Sequence, residues 1–352
     1  MSIPIYVLLY FIISTLFMLA KNNEKSLKNA TIISSVLVIF LIALRHSSMG
    51  IDLGTVSGEG YIGSFYRIGK IGWLSLLSQR HYLNYEFGYV FLNKLLYSII
   101  PHHQFLLIVC AILSIAPMCF IISKYSENIY FSFMIYFSLP IFLLSYSGLR
   151  QSIALGICCF SCYFIEQKKL MRFVGCVLIA AFFHSSSLLF LLAFPLFHLS
   201  ISPKTRWMLM ALLPITYIFR NQLFTWLCAL IGIDREIRDN GAIMFFLFLV
   251  ALYILAFTLG NKKQNGWLNL FFVVCIIQSM ASMNMLVLRV GYYYLVALPI
   301  LFPNAINSIK DAKTRHLVNF AMIIFFVAYG FYSLRHSSWA KAYPYHFFWE
   351  NL

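Results

Sequence analysis

Five short segments of the 352-residue chain gather side chains able to do chemistry. The first runs from Arg45 to Phe65 and holds Gly50-Ile51-Asp52 and Glu59-Gly60-Tyr61. The second is Tyr85-Glu86-Phe87-Gly88-Tyr89, and the third is Ser147-Gly148-Leu149-Arg150-Gln151. The fourth is Phe183-His184-Ser185-Ser186-Ser187, and the fifth is Arg289-Val290-Gly291-Tyr292-Tyr293-Tyr294. Arginine stays charged and presents a planar fork that grips phosphate oxygens in pairs. Arg45, Arg150, Arg220 and Arg289 therefore point to an anionic, phosphate-bearing ligand. His184, Glu86 and Asp52 are the candidates for a general base. Tyr61, Tyr66, Trp73 and Tyr82 offer ring faces for stacking, and Tyr293 joins Tyr61 as a substrate-binding candidate.

Each residue also has a plainer reading. Arg150 has the alternative of capping a helix pair through carbonyls, and His184 that of satisfying a buried hydrogen bond. Glu86 has the alternative of holding its helix by pairing with an arginine, and Asp52 that of a turn residue after Gly50. Arg235 and Arg238 sit among Asp234, Glu236 and Asp239, the pattern of a solvated loop.

These residues need a scaffold, and composition says which kind. The chain is 61% hydrophobic and 11% charged with a mean hydropathy of +0.83, whereas a soluble domain carries about a quarter charged residues. Apolar runs long enough to cross ~30 Å of hydrocarbon recur along it, and such runs must be helical because no water satisfies their backbone. We expect an all-α polytopic membrane protein in a single domain over residues 1–352. Twelve spans are expected, at about 3–20, 30–44, 104–123, 129–146, 150–165, 170–184, 185–200, 207–220, 242–260, 267–287, 290–305 and 316–334. The run 3–20 has no basic leader or small-residue cleavage site and reads as a retained first helix. Residues 85–99 are also apolar, but Lys94 makes them amphipathic, so an interfacial helix is expected there.

Lysine sets the expected orientation. With the N-terminus outside, the inner loops hold Lys21, Lys25, Lys28, Lys124, Lys168, Lys169, Lys204, Lys262, Lys263, Lys310 and Lys313, with Arg172, Arg206 and Arg315. The outer side is rich in arginine instead, against the topological preference. Arg150 precedes the inner anchor Lys168 by a helical rise of only ~27 Å, and His184 follows Arg172 by ~18 Å. Charge at membrane depth needs a partner or a watery cavity, so a funnel open to the outside is expected. Scattered surface ion pairs and lipid headgroups are the bland alternative. The net charge of +15 follows the loop lysines and carries no nucleic-acid signal. Cys158, Cys159 and Cys162 lie close together, yet no His or carboxylate joins them at metal-ligand spacing, so packing is expected of all eight cysteines. No Gly-rich phosphate loop, Asp-x-Asp pair or His-Glu-x-x-His is present, so no metal or cofactor is expected and a nucleotide-sugar transferase is disfavoured.

At these residues the chain resembles the EpsG/Wzy-type family of exopolysaccharide and O-antigen polymerases. The resemblance rests on Arg45 with Gly50 to Asp52, Glu86 to Gly88, Arg150-Gln151, Phe183 to Ser187 and Arg289 to Tyr294, in order over residues 40–303. In one departure, Tyr61 lies nine residues past Asp52, where the family's tyrosine follows closely. The resemblance implies a metal-independent glycosyltransferase on the outer face of the bacterial cytoplasmic membrane. It would move a glycan from undecaprenyl pyrophosphate to another lipid-linked repeat unit. Arg150, His184, Arg289, Glu86 and Asp52 would be catalytic; Arg45, Arg220, Tyr61 and Tyr293 would bind substrate. The implied partners are the undecaprenyl-pyrophosphate-linked oligosaccharide and membrane lipids, with a chain-length regulator as a candidate. A lipid-linked glycan ligase or membrane acyltransferase shares the arginine cavity, though no His-x-x-x-Asp pair supports the latter. A transporter or flippase would need Gly/Pro-broken helices in matched halves, and Pro299 and Pro303 fall in one span.

Overall fold

Sustained apolar stretches become helices here. The computed structural model describes residues 3–20, 23–78, 85–231, 243–281 and 284–351. Arg80, Tyr82, Arg235 and Arg238 lie outside them. Among the described residues the regular structure is helical, with no strand beyond one isolated bridge, Arg45 to Phe347.

The chain packs as two compact units. The first comprises Met1–Tyr125, Ile129–Leu188 and Ala321–Leu352. It contains α1 (Ile3–Ala20), α2 (Glu24–Ala43), α3 (Tyr61–Lys70), α4 (Trp73–Ser78), α5 (Phe87–Ile99) and α6 (His103–Tyr125). It continues with α7 (Ile129–Ser138), α8 (Pro140–Ser147), α9 (Leu149–Glu166) and α10 (Leu170–Ala181). The second comprises Ser126–Asn128 and Leu189–Phe320. Its helices are α11 (Ala193–His198), α12 (Pro203–Ile218), α13 (Arg220–Ile231), α14 (Ile243–Leu259), α15 (Asn265–Met280), α16 (Met285–Leu295) and α17 (Leu298–Asn307). A last helix, α18 (Ala312–His336), begins in the second unit and ends in the first.

Three described helices, α2, α6 and α18, are long and apolar enough to cross a membrane. Only 17% of the apolar window of α18 is buried, which leaves Leu317, Phe320 and Ile324 facing outward as a lipid-bathed helix requires. The stretch 129–146, expected as one span, is α7 and α8 bent by 55°. Pro140 is the cause, because its ring excludes the preceding residue from helical geometry. Leu139 accordingly sits at φ −86, ψ 152. Other apolar stretches, including Leu170–Ala181, Ser185–His198 and Ile243–Leu259, form shorter helices.

In the first unit, α6 packs on α2 and α9, α9 on α10, and α3 on α5. Helix α3 lies outside the expected spans and the expected interfacial helix. Its signal is the buried stripe Tyr61, Ile62, Phe65 and Ile68, at helical spacing. Helix α5 falls where the amphipathic segment was expected, but its buried side takes in polar residues beside the apolar Tyr89, Val90 and Leu96. Lys94 and Asn93 are buried, while Phe91, Leu95 and Ile99 are exposed. Lys94 Nζ donates to the Gly69 carbonyl at the end of α3 at 2.8 Å and lies 5.5 Å from the centre of the Trp73 ring. The charge thus caps a neighbouring helix, satisfying a carbonyl that would otherwise be orphaned.

Candidate functional site

The site is built on the junction between α8 and α9. Gly50, at φ +101, lets the loop after α2 press against this junction: a Cβ there would lie 2.0 Å from the Tyr146 carbonyl oxygen. Two residues on, the Asp52 N–H donates to Ser147 Oγ at 3.3 Å. The Asp52 carbonyl accepts from the Tyr61 N–H at 3.0 Å. Asp52 thereby ties the start of α3 to the residues just before Arg150. Its side chain is half-buried.

Arg150 leaves the first turn of α9 into a group of three tyrosines. The rings of Tyr61, Tyr85 and Tyr89 are mutually in contact, with centroids 5.5 to 6.0 Å apart. The guanidinium carbon lies 4.7 Å from the Tyr85 centroid and 6.0 Å from that of Tyr61, distances at which the ring faces attract a cation. Arg150 Nε donates to Tyr61 OH at 3.5 Å, and Nη1 donates to Glu86 Oε2 at 2.5 Å. Its Nη2 makes no hydrogen bond among the described residues. The ion pair is open to solvent, its side chains 23% and 22% exposed. Burial pushes the Tyr61 phenol up, with Asp52 and Tyr85 adding to the effect and Arg150 opposing it. Tyr61 therefore stays protonated.

Glu86 is held from two sides. It occupies the N-cap position of α5, and its Oε1 accepts the Ser185 N–H at 3.2 Å. Burial alone would raise its carboxyl. Hydrogen bonds from its own and the Ser185 N–H, together with the Arg150 charge, outweigh that and hold it below the ordinary carboxylate range. The fourth sequence segment meets the second here. Gly88 N–H donates to the Phe182 carbonyl at 2.8 Å, and a Cβ at Gly88 would lie 2.8 Å from the same oxygen. Only a glycine lets α5 dock this closely on the turn after α10. His184, in that turn, has Nδ1 2.7 Å from Ser186 Oγ. Ser64 Oγ lies 3.1 Å from Tyr85 OH and accepts from Arg67 Nη2 at 2.9 Å, which steadies the ring under Arg150.

Tyr61, Glu86, Arg150 and the His184 turn are thus brought together, with Asp52 joined through its backbone. Arg45 belongs to the same unit but is fully buried. Its guanidinium bonds the carbonyls of Ile42, Ser145 and Tyr146, the last two at 3.1 and 3.3 Å, so its donors serve helix ends. Arg220, Arg289 and Tyr293 belong to the second unit. Arg220 donates to the Tyr217 carbonyl at 3.0 Å and lies over the Tyr217 ring at 4.3 Å. Arg289 is half-buried on α16, and Tyr293 is fully buried on the same helix. Sequence reading passed over Tyr85 as a ligand of Arg150 and the Ser185 N–H as a partner of Glu86. The first had a visible signal, an aromatic adjacent to Glu86; a backbone donor has none. Among the described residues no group of three or more His, Cys, Asp or Glu gathers as metal ligands.

The family model described as EpsG family matches residues 28–347, nearly the whole chain, and so takes in all five segments. No curated protein and no solved structure matches the chain. A match of that extent places every residue of the Arg150 site within one homologous frame: the protein belongs to the EpsG family.

Proposed function

We propose that this membrane protein is a polysaccharide polymerase acting on the outer face of the bacterial cytoplasmic membrane, with about twelve spans around a cavity open to that face. It transfers a glycan from undecaprenyl pyrophosphate to a sugar hydroxyl of a second lipid-linked repeat unit. The observation that carries this reading is Arg150: a guanidinium backed by tyrosine rings and paired to one carboxylate, with no hydrogen bond from Nη2 among the described residues. Fixed positive charge is what a departing pyrophosphate requires, since its charge grows as the glycosidic bond breaks. Tyrosine faces beside that charge suit the sugar it releases. Glu86, His184 and Asp52 supply candidate bases for the acceptor hydroxyl. Tyr61 contacts the sugar, Arg220 and Arg289 are the second unit's candidates for the substrate's charge, and the buried Arg45 and Tyr293 are left to the fold. Lipids surround it, and a chain-length regulator is its candidate protein partner. Family membership supports the reaction class.

The test is direct. Purified protein in detergent, given one lipid-linked repeat unit and no nucleotide sugar, should build a ladder of lipid-linked oligomers. One undecaprenyl pyrophosphate should be released per unit added, and a chelator should not stop the reaction, because the sequence carries no metal-ligand motif. A substrate that stays a single unit with folded protein overturns the reading. Transfer to a non-lipid acceptor would mark a ligase, and movement between leaflets a flippase.

A further inference from the structure

The half-used fork of Arg150 has a consequence for the order of events, and it rests on the polymerase reading above. We propose that Glu86 is a built-in competitor of the donor's pyrophosphate for Arg150, and that its displacement by the donor turns it into the general base of the reaction.

The geometry leads there in three steps. The Glu86 carboxylate spans two donors at once, Arg150 Nη1 at 2.5 Å and the Ser185 N–H at 3.2 Å. Two oxygens of a phosphate group can take the same pair of donors, because carboxylate and phosphate match an arginine fork alike. Nη2 stands ready beside them, so an incoming phosphate oxygen can engage it before Nη1 leaves the carboxylate. The guanidinium is then never left bare during the exchange. Finally, both side chains are about one-fifth exposed, at 23% and 22%, so a ligand can reach them. Arg45, sealed among carbonyls, offers no such exchange.

The exchange changes the chemistry of Glu86. Paired with Arg150, the carboxylate is a poor base, because the neighbouring cation stabilises its charged form. With Arg150 turned to pyrophosphate, Glu86 loses that cation and gains an anionic neighbour, and its proton affinity rises. Bond changes balance at the acceptor. Its hydroxyl oxygen forms the new bond to the anomeric carbon while the bond from that carbon to the pyrophosphate oxygen breaks. The leaving pyrophosphate takes the bonding pair, and the hydroxyl proton passes to the Glu86 carboxylate. Release of undecaprenyl pyrophosphate returns Arg150 to Glu86, which gives its proton to water. Donor binding thereby arms the base, and acceptor activation waits for a loaded donor.

The experiment separates binding from turnover. Undecaprenyl pyrophosphate in detergent is titrated into wild-type protein, Glu86→Gln, Glu86→Asp and Arg150→Ala, each checked for folding by thermal melting. Glu86→Gln should bind about tenfold more tightly than wild type, the scale of one lost charge-assisted competitor. Its turnover should fall ~100-fold or more, as for removal of a general base. Arg150→Ala should lose binding. Glu86→Asp keeps the charge but withdraws it by one methylene, so it should bind more tightly than wild type with a smaller loss of turnover; it carries the test if the Gln variant does not fold. Affinity of both Glu86 variants at or below wild type, with wild type still building a ladder, overturns the competitor and leaves the polymerase standing. If wild type builds no ladder, the polymerase reading fails and this inference with it.

Discussion

Arg150 of the first unit and Arg206 of the second are both arginines within α-helices, yet their surroundings are opposite. Arg206 is 2% exposed. Its Nη2 donates to Asn269 Oδ1 at 2.6 Å and to the Asn265 carbonyl at 3.5 Å, and its Nη1 to Tyr253 OH at 3.2 Å. Asn269 in turn donates to the carbonyls of Leu196 and Leu199 at 2.8 and 2.7 Å. None of these partners is charged. The arginine and the amide together stitch α12, α14 and α15 to the end of α11, and no ligand can compete for donors so enclosed. Arg150 has a carboxylate, two ring faces, solvent contact and, among the described residues, a nitrogen without a hydrogen bond. One arginine is consumed by the fold; the other is held in a form that a ligand can claim.

The largest expected effect tests that contrast at Arg150. Arg150→Ala should lower polymerisation ~100- to 1,000-fold, the usual cost of removing a donor to developing negative charge. Arg150→Lys should recover little of it, because a point charge lacks the fork. Ladder formation by purified, folded protein is the measurement; a lysine variant within a few-fold of wild type would remove bidentate recognition from the mechanism. At Arg206 the readouts should reverse. Arg206→Met should destabilise the protein by about 1–3 kcal/mol through the polar partners it strands, seen as a lower melting temperature in detergent. Turnover per folded molecule should stay near wild type, and a stable variant with lost turnover would erase the distinction between the two arginines.

The smallest effect concerns the Glu86 carboxyl, held below its ordinary value of 4.5. A depressed carboxylate contributes stability that is present above the unfolded pKa and is lost as pH falls through the folded one. The melting-temperature difference between wild type and Glu86→Gln should therefore be flat above about pH 5 and shrink below pH 4.5. A difference that persists unchanged to pH 3 would mean that the ion pair contributes nothing to folding.

Much of the scaffold was legible from hydropathy because helix formation in apolar stretches is local. Helix α9 at Leu149–Glu166 lies within a residue of the expected 150–165, and α14 at Ile243–Leu259 within a residue of 242–260. Breaks inside expected spans were less legible. Pro140 splits 129–146, whereas Pro117 leaves α6 continuous for 23 residues. The two prolines read alike in sequence, yet Pro140 stands at the start of α8 and Pro117 inside α6.

Residue types and local periodicity determined by themselves that this chain is a helical membrane protein carrying arginine, carboxylate, histidine and tyrosine in a family-specific order. Tertiary structure alone decided what each charge does. Lys94 read as an interfacial residue and is a buried cap; Arg206 read as a loop anchor and is a buried stitch. Arg150 and Glu86 stand 64 residues apart in the chain and 2.5 Å apart in space. The reason is physical: hydropathy sums along the chain within a helix, but a charge is governed by the few groups within hydrogen-bond reach, and only folding brings those from distant segments.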